Sequence, residues 1–317
     1  MIKGLAITPP ILGRISIGRI VEKNGKRLPE KDDQFTITSQ VQTKDGWVNH
    51  PLDDELRKLA SNGKIRSIPV RMLFNDPDLN LRAEYSMFDR QNGRPLCVGN
   101  GETCRRNTPE GLQNLSCPSP EHCELAKGGL CKPYGRLNVK IGDDDELGTF
   151  IFRTTGFNSI RSLAARLSYY QAVSGSLLAC LPLQLRIRGK STTQSHRTPI
   201  YYVDLTVRDG MSLEESIIEA RILNAQRQEC GFDQAALDLA GQVGFSNATF
   251  EDSEEEVAAI VEEYFKESGV GHGDEHSHHD ETTAVVGQAR AIHSTRPSLK
   301  DKLNRKACDL VEQAAYG

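Results

Sequence analysis

Apolar and polar residues alternate over much of the first 210 positions, and this is the period expected of strands with one buried face. In ILGRISIGRIV, Ile15 and Ile17 fall on one face, and in QFTITS, Phe35 and Ile37 do the same. The NGK at residues 24–26 predicts a hairpin between these two extended pieces. The chain is therefore expected to begin with an antiparallel pair of strands.

The same period recurs further along the chain. It predicts two strands joined by an NDPD turn within residues 67–90, strands at 136–141 and 148–154, and a pair of strands on either side of a polar loop at 191–198. The acidic GDDDELG before residue 149 lacks the alternating ligands and the terminal glutamate of a calcium loop. A solvated turn is the simpler expectation there.

Helical periods appear after residue 157. NSIRSLAARLSYYQAVSG carries an apolar stripe, and MSLEESIIEARILNAQRQ begins with a capping box of Ser212 and Glu215. The stripe consists of Ile160, Leu163, Ala164 and Leu167. These patterns predict an α+β fold: a mainly antiparallel β body with an inserted Cys-rich zinc loop region and an appended helical, partly disordered C-terminal tail.

Composition divides the chain into four predicted parts. They are a mixed β domain at 1–210 with zinc-binding loops at 97–133, a helical extension at 211–266, a disordered acidic and histidine-rich linker at 267–297, and a C-terminal helix at 298–317. The histidines of the linker stand in a glycine-rich setting without periodicity, which favours a flexible segment over a rigid metal site.

Five of the eight cysteines lie close together in the sequence. The segments CVGNGETC and CPSPEHCELAKGGLC are rich in Gly, Pro, Asn and Ser, which favour turns over strand interiors. Such loops need disulfides or a metal because they bury little apolar surface. The five are Cys97, Cys104, Cys117, Cys123 and Cys131.

The cellular compartment decides between these two possibilities. MIKGLAITPP contains no apolar run of the length found in a signal peptide, and no segment approaches the roughly 18 apolar residues of a membrane span. A cytoplasmic location is expected, where thiols stay reduced and clustered cysteines favour Zn²⁺ over disulfides. An iron–sulfur cluster and free redox thiols are the alternatives.

Zinc takes four ligands, so the five thiols leave a choice. Cys117, Cys123 and Cys131 are the expected fixed set, and either Cys104 or Cys97 completes it. His122 is a sixth candidate, in competition with its neighbour. The spacing lacks the C-x2-C pairs of the strongest zinc motifs.

Charge is distributed unevenly. The net charge is -4, yet residues 251–281 hold twelve acidic residues and one lysine, so the rest of the chain is net positive. The acidic run suits a solvated helix face with a linker, or a segment that competes with nucleic acid or recruits a basic partner.

Several basic residues are candidates for binding nucleic acid or a protein partner, because they occur near cysteines or beside tyrosines. Ordinary surface charge is the alternative. The candidates are Arg105, Arg106, Lys132, Arg136, Arg186, Arg188, Lys190 and Arg197.

Catalytic motifs are missing from the sequence. There is no G-x-S-x-G and no H-E-x-x-H, and GKST at 189–192 has Gln184 where a phosphate-binding loop needs glycine. No catalytic residue and no nucleotide cofactor is predicted. A non-enzymatic protein is favoured, and a metal-dependent hydrolase acting on nucleic acid is the alternative.

The order of these segments resembles the recombination directionality factor-like family of phages and mobile elements. The resemblance lies in GRISIGRIVEKNGKRLPEKDDQFTITS, CVGNGETCRR, CPSPEHC and CKPYGRLNVKI, and covers roughly residues 10–210. It implies an accessory protein of DNA recombination whose partners are a recombinase or integrase and/or DNA, without membrane contact. It further implies a metal set of Cys104, Cys117, Cys123 and Cys131, with Cys97 in reserve.

Overall fold

The computed structural model describes residues 7–23, 26–43, 46–143, 147–191, 199–246, 260–261 and 264–265. Most of these residues belong to a twelve-stranded sheet and to helices packed around it. The strands are β1 (Ile11–Lys23), β2 (Lys26–Thr43), β3 (Gly46–Asn49), β4 (Ser67–Arg71), β5 (Leu81–Phe88), β6 (Pro95–Gly99), β7 (Thr103–Thr108), β8 (Gly111–Ser116), β9 (Lys132–Ile141), β10 (Thr149–Thr154), β11 (Leu183–Lys190) and β12 (Ile200–Val207). The helices are α1 (Pro51–Leu59), α2 (Pro77–Asn80), α3 (Phe157–Ser174), α4 (Leu213–Glu229) and α5 (Gln234–Ser246).

The sheet is branched. Its long path runs β3-β2-β1-β10-β9-β5-β6-β7-β8, while the far end of β9 pairs with β4, which continues to β11 and β12. Among the pairings of the described strands, β1 with β10 is parallel and the others are antiparallel. The predicted mainly antiparallel body with helices is therefore confirmed.

The main hydrophobic core lies between one face of this sheet and helix α3. Leu137 and Val139 of β9 meet Leu163 and Leu167 of α3 there, and all four are fully buried. A Cβ on Gly135 would lie 2.9 Å from the Ile160 side chain, so a larger residue there would displace Ile160. Burial of these apolar surfaces is the dominant stabilising term.

Two local predictions about the helices need correction. Ala164, expected on the buried stripe of α3, is exposed. The NDPD sequence forms the one-turn helix α2 instead of a simple turn, because the Asp76 side chain accepts a hydrogen bond from the Asp78 amide at 3.0 Å and caps it. The capping box of Ser212 and Glu215 is confirmed at the start of α4.

The predicted boundaries between domains remain predictions. Segment 267–297 and helix 298–317 lie outside the described residues, as does the 192–198 part of the loop between β11 and β12. Within the described part, no helix is long and apolar enough to cross a membrane.

Helix α1 is attached to β2 through one buried carboxylate. Asp53 is fully buried; it accepts a hydrogen bond from the Ile37 amide at 2.8 Å and another from Arg57 Nε at 2.6 Å. Arg57 also donates to the Phe35 carbonyl at 3.1 Å and the Gln34 side chain at 2.8 Å. The part of β2 around Phe35 is thus stabilised by the hydrogen bonds of Asp53 and Arg57 as well as by burial of its apolar side chains.

We predict that Asp53→Ala lowers the free energy of unfolding by about 3 kcal/mol, because it removes the buried carboxylate that accepts from the Arg57 guanidinium and from the Ile37 amide. Urea denaturation measures the change. Asp54→Ala is the matched control, since Asp54 is exposed on the same helix, and it should change stability by no more than about 0.5 kcal/mol. Equal losses in the two variants would contradict the assigned role.

A second prediction concerns Asp143, which joins two arginines. Hydrogen bonds from Arg208 at 2.7 Å and from Arg71 at 2.7 Å lower the pKa of this carboxyl from 3.8 to about 2. A lowered pKa stabilises the fold above the unfolded value, and this contribution is lost as pH falls from about 4 to about 2. Asp143→Asn should therefore be less stable than wild type at pH 7.

The difference in stability between wild type and Asp143→Asn should become smaller as the pH falls from about 4 to about 2. Asp143 is 60% exposed, so solvent screening keeps the effect modest. Urea midpoints at pH 7, 5, 4 and 3 test this, with Asp54→Asn as control. If the difference in urea midpoint between the two proteins does not depend on pH, the charge of the Asp143 carboxylate is not its cause.

Candidate functional site

The first two cysteines lie in strands, so the prediction that residues 97–133 are loops is wrong for their first part. Cys97 is in β6 and Cys104 is in β7, and β6, β7 and β8 form an antiparallel meander. Both thiols occupy inward positions of a period of two, which buries them. The Gly and Asn residues that indicated loops lie in the tight turn between these strands.

That turn brings three thiols together. The Asn100 side chain accepts hydrogen bonds from the Glu102 and Thr103 amides at 2.9 and 2.8 Å. A Cβ on Gly99 would lie 2.6 Å from Cys104 Cβ and 3.1 Å from Cys117 Sγ. Glycine at this position is therefore what allows Cys117 to approach the strand pair.

The remaining cysteines follow in irregular backbone. The Cys117 amide donates to the Glu102 carbonyl at 2.8 Å, which fixes the end of β8 against the β6–β7 turn. Short 3-10 turns at Pro120–His122 and Glu124–Ala126 flank Cys123, and Cys131 directly precedes β9. Cys117, Cys123 and Cys131 are half-buried.

The five thiols influence one another electrostatically. Burial raises the pKa of Cys131 to about 12, and Cys97, Cys117, Cys123 and Cys104 add to this rise. Burial also raises the pKa of Cys104 to about 11, together with a hydrogen bond to Cys97. Without a cation nearby, these two thiols are protonated at neutral pH.

The donor chemistry fits a thiophilic metal, since soft thiolates select Zn²⁺ or iron–sulfur clusters. The geometry is less complete. In the part of the chain that the structure describes, no three His, Cys, Asp or Glu side chains are placed to hold a metal ion. The thiols are neighbours without forming a coordination shell, and the zinc site expected from the sequence remains a prediction. His122 is exposed beside this group.

Tyr264 supports this region from the C-terminal part of the chain. Its hydroxyl donates to the Leu130 carbonyl at 2.8 Å and to the Ser86 carbonyl. Its ring packs edge-on against Phe88 at 4.8 Å and Tyr134 at 6.0 Å between centroids. The residues before Cys131 are thus tied to an element outside the β body, a contact that no sequence pattern indicated.

The basic residues next to the cysteines differ in accessibility. Arg105 is exposed on β7, whereas Arg106 points back, with Nη2 4.0 Å from Cys104 Sγ. Lys132 lies 5.6 Å from the centre of the Tyr264 ring. Arg136 is buried and pairs with Glu84 at 3.0 Å, so its predicted role as a surface contact does not suit its position.

The basic residues of the β11–β12 hairpin are held by acceptors. Arg186 pairs with Asp209, Arg188 lies 3.3 Å from Asp204, and Lys190 donates to the Asn158 side chain at 2.9 Å. Arg197 falls outside the described residues. The carboxylates next to Arg186 and Arg188 weaken the attraction of this hairpin for phosphates.

Exposed leucines near the cysteines form a further feature that sequence reasoning missed. Leu112 on β8 is 49% exposed, and Leu125 and Leu130 in the cysteine-bearing loop are 47% and 51% exposed. Other large apolar side chains, such as Leu59 and Leu239, are also exposed in the described residues, and single exposed ones are normal on protein surfaces.

A comparison with protein-family models identifies the family of this chain. Residues 12–208 match the Gp3-like family model, described as recombination directionality factor-like. The match covers more than half of the chain, and the protein belongs to this family. The search of curated proteins gave no significant match, and neither did the search of solved structures.

Proposed function

We propose that this protein is a non-enzymatic accessory factor in the DNA recombination of a phage or other mobile element. It acts by binding a recombinase, or the recombinase together with its DNA. The observation that carries the proposal is the family match over residues 12–208, which spans the sheet, the cysteine region and helix α3.

The cysteine region holds one Zn²⁺ in this proposal. Cys117, Cys123 and Cys131 supply three thiolates, and Cys104 or Cys97 supplies the fourth. The support is the approach of Cys117 to the strand pair at Gly99, in a region that has little apolar burial of its own. A closed site of four thiolates gives structural stabilisation, and the metal would fix the loop between β8 and β9.

The same region is the proposed contact for the recombinase. Its Arg105 is exposed, and its three leucines offer apolar area. Apolar anchors flanked by a cation suit a protein surface better than a phosphate backbone.

We predict that Cys117→Ser releases the zinc and lowers the Tm, because a structural site contributes directly to folding. Elemental mass spectrometry after dialysis against a weak chelator, with a parallel thermal melt, measures both. Cys230→Ser is the matched control, since Cys230 is exposed and distant in sequence. The claim fails if Cys117→Ser retains tightly held zinc with an unchanged Tm.

The fourth ligand is decided by the same assay. Cys104→Ser and Cys97→Ser are compared, and the true ligand is the one whose loss releases metal. If the wild-type protein contains iron instead of zinc, the cysteines hold an iron–sulfur cluster. Cleavage of DNA by the zinc-loaded protein, abolished in Cys117→Ser, would favour the metal-dependent hydrolase.

For the partner, we predict that Leu125→Asp and Leu130→Asp weaken binding to the integrase of the same element by about tenfold or more, because anchor residues dominate interface energies. Surface plasmon resonance with the integrase alone and on its DNA site measures this. Leu59→Asp is the control, a more exposed leucine at the end of α1. Undiminished binding by the loop variants would exclude this region as the contact.

A further inference from the structure

One arginine of the β6–β7–β8 meander points at the cysteines instead of at solvent. Arg106 of β7 lies directly across from Cys97 of β6, so the two side chains share one face of the sheet. Cys104 precedes Arg106 by two positions on β7 and therefore lies on the same face. The Nη2 atom of Arg106 is 4.0 Å from Cys104 Sγ. The guanidinium group is thus placed beside two of the five thiols.

The polar groups around Arg106 are sulfur atoms. A hydrogen bond to Cys97 raises the pKa of the Arg106 guanidinium, and the charges of Cys97, Cys104 and Cys123 add to this rise. The Nε atom of Arg106 is buried, and the part of the chain that the structure describes offers it no acceptor. Arg106 therefore brings both contacts with sulfur and an unused N–H donor into the cysteine region.

A metal ion bound by four cysteines suits this guanidinium. Four thiolates and Zn²⁺ together carry a net charge of about -2. Groups that donate hydrogen bonds to the ligands of a metal orient those ligands and tune the metal. A guanidinium holds several N–H donors in one plane, so a single arginine serves two sulfur atoms at once.

We propose that Arg106 is a positioning residue of the zinc site: its guanidinium donates hydrogen bonds to the sulfur atoms of Cys97 and Cys104 and offsets the negative charge of the bound thiolates. This inference rests on the proposed zinc site and holds whichever of the two cysteines is the fourth ligand. It gives Arg106 a role at the metal instead of at nucleic acid, whereas its neighbour Arg105 is exposed.

The first test compares the zinc affinity of the full-length wild type with that of Arg106→Gln, by competition with a chromogenic chelator at pH 7.5. Loss of a hydrogen-bonding partner of the ligands should raise the Kd for zinc about tenfold or more. Lys127→Gln is the matched control, since Lys127 lies in the cysteine-bearing loop, is 73% exposed and pairs with Glu124. It removes the same charge and should change the Kd by no more than about twofold.

Cobalt substitution separates a contact with sulfur from a general effect on stability. Co²⁺ bound by thiolates absorbs light through charge transfer from sulfur to the metal. Hydrogen bonds to sulfur raise the energy of this transition, because they lower the energy of the sulfur lone pairs. Arg106→Gln should therefore shift the band to longer wavelength, and Lys127→Gln should leave it unchanged. A band at the wild-type wavelength in Arg106→Gln would overturn the proposal.

Melting temperatures with and without zinc show whether Arg106 acts on the metal site or only on the fold. The loss of Tm in Arg106→Gln should be larger in the zinc-loaded protein than in the metal-free protein, because the guanidinium acts on bound thiolates. Equal losses in the two forms would make Arg106 an ordinary packing residue and overturn the inference.

A second variant serves if Arg106→Gln does not fold. Arg106→Lys keeps the charge but concentrates its donors on one atom, so it does not bridge two sulfur atoms in the same way. Its Kd for zinc should therefore exceed that of wild type. Wild-type affinity in Arg106→Lys would contradict the contact with both sulfur atoms and overturn the proposal.

The same measurements distinguish this inference from the proposed zinc site. Zinc held equally tightly by wild type and Arg106→Gln leaves the site in place and overturns only the role of Arg106. A wild-type protein without tightly bound zinc overturns both.

Discussion

Strand β9 is buried on both of its faces, and the fold is arranged around this constraint. Residues 134–141 are all buried, with Leu137 and Val139 against α3 and the charged Arg136 and Lys140 on the other face. An apolar face requires only a hydrophobic cover, which α3 supplies. The other face has polar and aromatic partners: Glu84 of β5 lies 3.0 Å from Arg136, and the Phe245 ring lies 5.0 Å from the guanidinium of Arg82 on the neighbouring strand.

The strand pairings of β9 explain how the cysteine region is placed. Its first residues pair with β5, which carries the β6–β7–β8 meander as a lateral extension, and its last residues pair with β4. Cys131 directly precedes β9, so the thiol next to β9 and those on the meander approach one another from two sides. The cysteine cluster thus depends on the sheet register, although its own sequence contributes little apolar surface.

The sequence predicts those features that depend on local periods. Phe35 and Ile37 are buried as expected, and Ser212 caps α4 with Glu215, because each signal is complete within a few residues. Sequence composition does not predict the β6–β7–β8 meander, because Gly99 and Asn100 give the segment from Cys97 to Cys104 the composition of a loop. In the structure these two residues lie at the turn between β6 and β7. Arg136 was expected on the surface because it follows a cysteine and an aromatic residue in sequence. Its burial results from the pairing with β5 and β10, which no local pattern encodes.

The family match ends at residue 208, whereas contacts with the matched body continue to residue 265. Phe245 meets Arg82, Tyr264 reaches the Ser86 and Leu130 carbonyls, and α5 donates from Gln234 to the Leu73 carbonyl at 3.0 Å. These contacts make α5 and residues 260–261 and 264–265 part of the packed structure. Because Phe245 and Tyr264 lie outside the matched residues, the packing around Arg82, Phe88 and Tyr134 depends on this chain's own extension as well as on the family fold.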